Sequence, residues 1–183
     1  MKIKLEIEEK EKEYNLVVNW DEVTVGQYAE IIKTQQQKDL TQIQLSVKLV
    51  SILSGMHEDT IYSMDMDQLS EIIQHIKFLN EPLQTKEVEY IEVEGEKYYL
   101  KKEFEKLNVG EMISLQIIEE QMRKDNVNNL YAYLPKFLCI FLRKEGEMDK
   151  FENHYMNREK MFGDVKIVDV NDMFAFFLAG KKQ

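Results

Sequence analysis

The 183-residue chain has one cysteine, two prolines and seven glycines, and each scarcity removes a class of protein. A lone thiol, Cys139, closes no intramolecular disulfide, so packing must hold the fold, and a reducing compartment suits it. Cys139 lies within the apolar run Phe137 to Leu142 with no base close by, which points to a buried thiol rather than a reactive one. So little proline and glycine, with no Ser-, Gly- or Pro-rich stretch, excludes a flexible linker or a low-complexity tail. No apolar run reaches the roughly 20 residues that a membrane-spanning helix needs. The opening Met1-Lys2-Ile3-Lys4-Leu5-Glu6 alternates polar and apolar residues and is unlike a signal peptide, so the expectation is a soluble protein with no membrane partner. Basic charge is also short: 24 Lys and Arg against 34 Asp and Glu leave a formal charge of −10. That balance disfavours direct binding to nucleic acid or anionic lipid.

Local signatures of chemistry are missing too. His57, His75 and His154 show no i, i+4 pairing and no His-Glu-x-x-His arrangement. His57-Glu58-Asp59 reads as a surface turn, and His154 as part of a solvated face. Asp65 and Asp67 lack the glycine and the third acidic ligand of a calcium loop. No phosphate-cradling glycine motif and no nucleophile elbow occurs. The expectation is therefore no catalytic, cofactor-binding or metal-ligating residue and no enzyme. A small metal-dependent hydrolase whose residues converge only in space is the alternative from another class, and an acidic mimic of nucleic acid is a third.

What is present is a phrase written twice. Glu22-Val23-Thr24-Val25-Gly26-Gln27 has a counterpart in Lys106-Leu107-Asn108-Val109-Gly110-Glu111, 84 positions on. Walking backwards at that offset pairs Trp20 with Phe104, Leu16 with Leu100, Tyr14 with Tyr98 and Ile7 with Ile91. Thr24 and Asn108 are good helix N-caps, and Gln27 and Glu111 complete capping boxes. Alternating strands precede each cap, with Glu94-Gly95 marking a hairpin turn in the second copy. Leu49 to Leu53 matches Phe137 to Phe141 at an offset of 88, as apolar centres of a second helix, with Gly55 and Gly146 as C-cap candidates and Pro135 predicted to kink the second copy or to mark a new helix start. Asp65 and Asp169, 104 apart, are expected to cap a third helix in each copy. The sequence thus predicts an α+β, mainly helical fold: two tandem copies of a β-hairpin followed by about three helices, at 1–83 and 84–183.

The second copy carries extra residues near 147–164, where Met148, Phe151, Tyr155 and Phe162 recur near helical spacing. They read as an inserted amphipathic helix. It either presents a partner surface formed by Phe151, Tyr155 and Phe162, with Phe176 from the last helix, or covers core exposed at Pro135. The ten methionines are expected to fill core gaps, with a groove for another protein's apolar helix as the alternative.

Trp20-Asp21-Glu22-Val23-Thr24-Val25-Gly26-Gln27-Tyr28, Gly95-Glu96-Lys97-Tyr98-Tyr99-Leu100 and Phe104 to Glu111 resemble phrases of small acidic proteins encoded among the structural genes of tailed bacteriophages. The resemblance covers most of the chain and is one of style, and it carries over no functional residue. It implies a non-enzymatic virion component near the portal and tail, such as a ring or connector protein, or else a tail assembly chaperone not retained in the particle. The implied partners are other phage structural proteins or further copies of the chain in a ring, in the virion or in the host cytoplasm during assembly.

Overall fold

The computed structural model describes the backbone of residues 1–7, 10–84, 86–101, 106–147 and 150–180, and their side chains apart from those of 5–7, 10, 11, 153 and 176–180. The fold is α+β and mainly helical, with two small antiparallel sheets. The first hairpin is β1 (Lys2–Ile7) and β2 (Lys10–Asn15), followed by α1 (Val25–Gln35), α2 (Gln42–Ser54), α3 (Glu58–Tyr62), α4 (Met66–His75) and a 3-10 turn, Lys77–Asn80. The second hairpin is β3 (Tyr90–Val93) and β4 (Glu96–Leu100), followed by α5 (Val109–Lys124) and a 3-10 turn at Leu130–Tyr133 that runs into α6 (Leu134–Phe141). Strand β5 (Leu142–Lys144), a 3-10 stretch at Asn153–Arg158, α7 (Glu159–Gly163) and α8 (Ile167–Gly180) complete the chain.

The helix starts are written in short-range polar chemistry. Thr24, Thr41, Asp65 and Asn108 each accept the N–H of the residue three places on, and Gln27, Gln44, Gln68 and Glu111 return the bond, satisfying donors that the first turn leaves open. Gly55 ends α2 at φ +70°, a left-handed conformation that glycine adopts without a Cβ penalty.

Four expectations need correction. The hairpins differ in length. Tyr14 lies opposite Ile3 and Tyr98 opposite Ile91, so the gapless pairing at an offset of 84, which sets Ile7 beside Ile91, does not hold in the strands. Helix α8 starts at Ile167, which puts Asp169 inside its first turn rather than at the N-cap. Of the two expectations for Pro135, the new helix start holds and the kink does not: it stands at the first turn of α6, where its missing N–H costs nothing. Gly146, at φ +84°, turns the chain after β5 and does not cap a helix.

One apolar core runs through both halves. Helix α1 lies at its centre, against α2 on one side and against α6, α7, α8 and the turn at Leu130–Tyr133 on the other. Trp20, Tyr28, Tyr131 and Phe174 form a chain of edge-to-face rings, with centroids of neighbours 5.2–5.8 Å apart. The halves are also joined through backbone. The Val25 N–H donates to the Val165 carbonyl at 2.8 Å, and the Ile167 N–H donates to the Val23 carbonyl at 2.9 Å.

Candidate interaction surface

The residues that sequence reasoning offered as a partner surface are mostly interior. Phe162 and Tyr155 are 0% and 2% exposed, and Phe151 is half-buried against the core. The Phe176 side chain lies outside the described residues. The expected inserted helix is replaced by the 3-10 stretch and the five-residue α7, which packs its Phe162 against Tyr98 and closes on α1. Phe162 belongs to the apolar core, and the Tyr155 ring packs against Phe151 and the guanidinium of Arg158.

Beneath Phe151 and Tyr155 lies a cluster of buried charge. The Glu111 carboxylate, fully buried, accepts from Lys101 Nζ through both oxygens at 2.9 Å and from Arg143 Nη2 at 3.0 Å. It also accepts the Asn108 N–H at 2.8 Å, as the capping box requires. Arg143 spends its remaining donors on the carbonyls of Cys139, Leu142 and Lys150 at 2.8–3.1 Å, and its guanidinium lies 5.1 Å from both the Phe151 and Tyr155 rings. Burial lowers the Arg143 pKa, and the adjacent Glu111 works against that shift. The carboxylate thus pins the start of α5 to the end of α6. Of this group only Glu111 and Asn108 were visible in the sequence. The other two members, Lys101 and Arg143, lie 10 and 32 positions from Glu111, and no local pattern announces them.

A second pair lies nearby. Arg158 grips Glu147 through two bonds of 2.9 Å, and its guanidinium is 4.1 Å from the Tyr155 ring. The bond from Arg158 lowers the Glu147 pKa. Burial pushes the Cys139 thiol up to about 12, and the charge of Glu159 adds to this, which leaves the thiol protonated and unreactive at neutral pH.

Among the described residues, no three His, Cys, Asp or Glu side chains are grouped as ligands for a metal ion. His57 is exposed and its Nδ1 accepts the Asp59 N–H at the start of α3. An open groove of about 420 Å³ between α1 and the second half is lined by charges of both signs, among them Glu30, Lys33, Lys136 and Glu159. No described helix is long and apolar enough to cross a membrane.

The surface with a distinctive character is the outer face of α5. Val109, Met112, Ile113 and Ile117 are 76%, 45%, 51% and 61% exposed, and their spacing puts them on one stripe. The opposite face of α5 buries Ile118 and Met122, so the helix is apolar on two sides. Ile43, Tyr62 and Met66 form the other set of exposed large apolar residues, on α2, α3 and α4. Apart from Met1, these seven are all the large apolar side chains that the described residues expose.

No protein-family model matches the sequence, and no curated protein and no solved structure is similar to it.

Proposed function

We propose that the chain is a tandem duplication of one hairpin-plus-helices unit and that it works without catalysis, as an assembly protein acting through protein–protein contacts. The duplication is supported by bonds that recur at fixed spacing. The Val17 N–H donates to the Leu53 carbonyl at 3.0 Å and the Lys101 N–H to the Phe141 carbonyl at 2.8 Å. The donors are 101 − 17 = 84 positions apart and the acceptors 141 − 53 = 88. The Thr24 and Asn108 capping boxes share the first spacing, and the N-caps Thr41 and Asn129 share the second. From α3 and α7 onward the spacing is 101, which pairs buried Ile61 with Phe162, Leu69 with Val170 and Ile72 with Met173. That register explains Asp169: the counterpart of the capping Asp65 is Lys166, three positions earlier.

The same linkage is also made with different groups. In the first unit the Gln27 side chain donates directly to the Ile52 carbonyl near the end of α2 at 3.1 Å. In the second, Glu111 reaches the carbonyls at the end of α6 through Arg143. A direct hydrogen bond in one unit stands where the other has a charged relay.

The assembly role is carried by one observation, the apolar stripe on the outside of α5. A helix in water keeps such a stripe at a cost of solubility, and exposed patches of this kind mark contact surfaces. The phage setting is carried by the resemblance of the Trp20 to Tyr28 and Gly95 to Glu111 phrases. On that reading the protein belongs to the portal and tail region of the virion, with a tail assembly chaperone as the related reading. Mass spectrometry of purified particles and of lysate from infected cells tests both. Stoichiometric presence in particles supports the virion component. Presence in lysate bound to tail proteins, with none in particles, supports the chaperone. A strictly monomeric protein without partners in either fraction removes the proposal.

A further inference from the structure

We infer that copies of this chain associate head to tail, the α5 stripe of one copy docking on the exposed α2–α3–α4 face of the next, in the manner that the two halves dock within the chain. The inference rests on the duplicated unit proposed above. At the spacing of 84, the α5 residues Val109, Met112, Ile113 and Ile117 correspond to Val25, Tyr28, Ala29 and Lys33 of α1. These are the α1 residues that meet the second half. The Val25 N–H bonds the Val165 carbonyl, and the Tyr28 ring lies 5.5 Å from that of Tyr131. Ala29 lines the groove shared with Ala132 and Pro135, and the Lys33 ammonium stands 5.2 Å over the Tyr133 ring. The stripe that α5 leaves in solvent is therefore the face that α1 uses to hold its neighbour.

The complementary face is exposed on the first half. Ile43 corresponds to Tyr131 at the spacing of 88, and Tyr62 and Met66 correspond to Gly163 and Ile167 at 101. All three counterparts press on α1 or on the segment entering it. Tyr131 stacks on Tyr28, and the Ile167 N–H bonds the Val23 carbonyl. The Gly163 carbonyl lies 3.2 Å from where a Cβ on Gly26 would stand. Each half thus exposes the partner surface that the other half has already used. Among the described residues this accounts for all seven of the large apolar side chains exposed beyond Met1.

The match is one of faces and not of every atom. Phe151 overlies Gly110, the counterpart of Gly26, and Tyr62 is far bulkier than Gly163. Side chains therefore meet between copies where backbones meet within one. Because the two faces differ, the contact is heterologous, and repeating it closes a ring or extends a filament according to the rotation between units.

Sedimentation velocity of the full chain over a concentration series, with Ile113→Glu and Met66→Glu variants, tests the inference. Both positions are more than half exposed, and circular dichroism checks that each variant is folded. Ile117→Glu and Tyr62→Glu provide a second pair. Wild type should grow beyond its 21.8 kDa monomer mass. Each variant alone should raise the concentration for half-association at least about tenfold. A mixture of an α5-face and an α4-face variant should restore association up to a dimer and no further, because each supplies one intact face. Wild type that stays monomeric throughout overturns the inference, as does assembly indifferent to both variants or a mixture that stays monomeric. An experimental structure of the monomer separates the two levels: if the halves superpose and wild type is monomeric, only the docking falls, whereas halves that do not superpose remove the duplication beneath it.

Discussion

Glu111 is fully buried and holds two cations, and the consequences of removing it are asymmetric. With Glu111→Ala, Lys101 and Arg143 lose their shared partner while still buried, and loss of one member of such a cluster costs roughly 3–5 kcal/mol. Glu111→Gln keeps an acceptor for the Asn108 N–H and should cost less. Urea unfolding of the two variants gives that ranking, and equal losses would mean that the charge matters and the capping bond does not. Glu147 is partly exposed and acts on a smaller scale, about 1 kcal/mol. Its pKa is lowered in the folded state by Arg158, so its contribution is present above the ordinary carboxylate range and fades as pH falls through the folded value. The stability gap between wild type and Glu147→Gln should accordingly be widest near neutrality and narrow on acidification below about 4.5, the ordinary value. Urea midpoints measured across that range read it directly. In the sequence, Glu111 was legible because a capping box is a three-residue pattern. Lys101 and Arg143 were not, because nothing in a chain says which distant cations will be buried beside a carboxylate.

Helix starts are where sequence reading worked best and where its one slip is instructive. Thr24, Asp65 and Asn108 cap helices through bonds to residues three places away. Substituting alanine at Thr24, Thr41 or Asn108 should each cost about 1 kcal/mol. Asp169→Ala should cost only a few tenths, because within the first turn it interacts with the helix dipole and an exposed Lys86 but closes no box. Thermal melts of the set distinguish a cap from a first-turn acid. The third helix slipped by three residues because Asp65 and Asp169 share a residue type, while the start of α8 is fixed by Ile167 bonding Val23 from the other half. Helix α3 went unread and α7 was read only as the end of a longer helix, because five residues are too few to show a 3.6-residue period. Strand β5 starts on Leu142, the last residue of an apolar run, and its three residues are too few to show alternation.

For the whole molecule, the joint between the halves is set by a close approach of two glycines. A Cβ at position 26 would stand 3.2 Å from the Gly163 carbonyl oxygen, and that oxygen belongs to backbone that cannot rotate aside. Gly26→Val should lower stability by about 1–3 kcal/mol. Amide exchange should quicken at Val25 and Ile167, whose N–H groups bond across the joint, more than in α2. An equal rise everywhere would mean that the joint does not yield before the rest. The stripe on α5 could not be singled out from sequence, since α5 carries apolar residues on two faces and hydrophobic spacing does not say which of them is covered. Those cross-joint bonds link residues some 140 positions apart, Val23 to Ile167 and Val25 to Val165. During synthesis, α1 therefore waits with its apolar face open until nearly the whole second unit has been made. In that interval an apolar surface that the folded chain covers stands open, so the partly made chain is more prone to aggregate than the finished one.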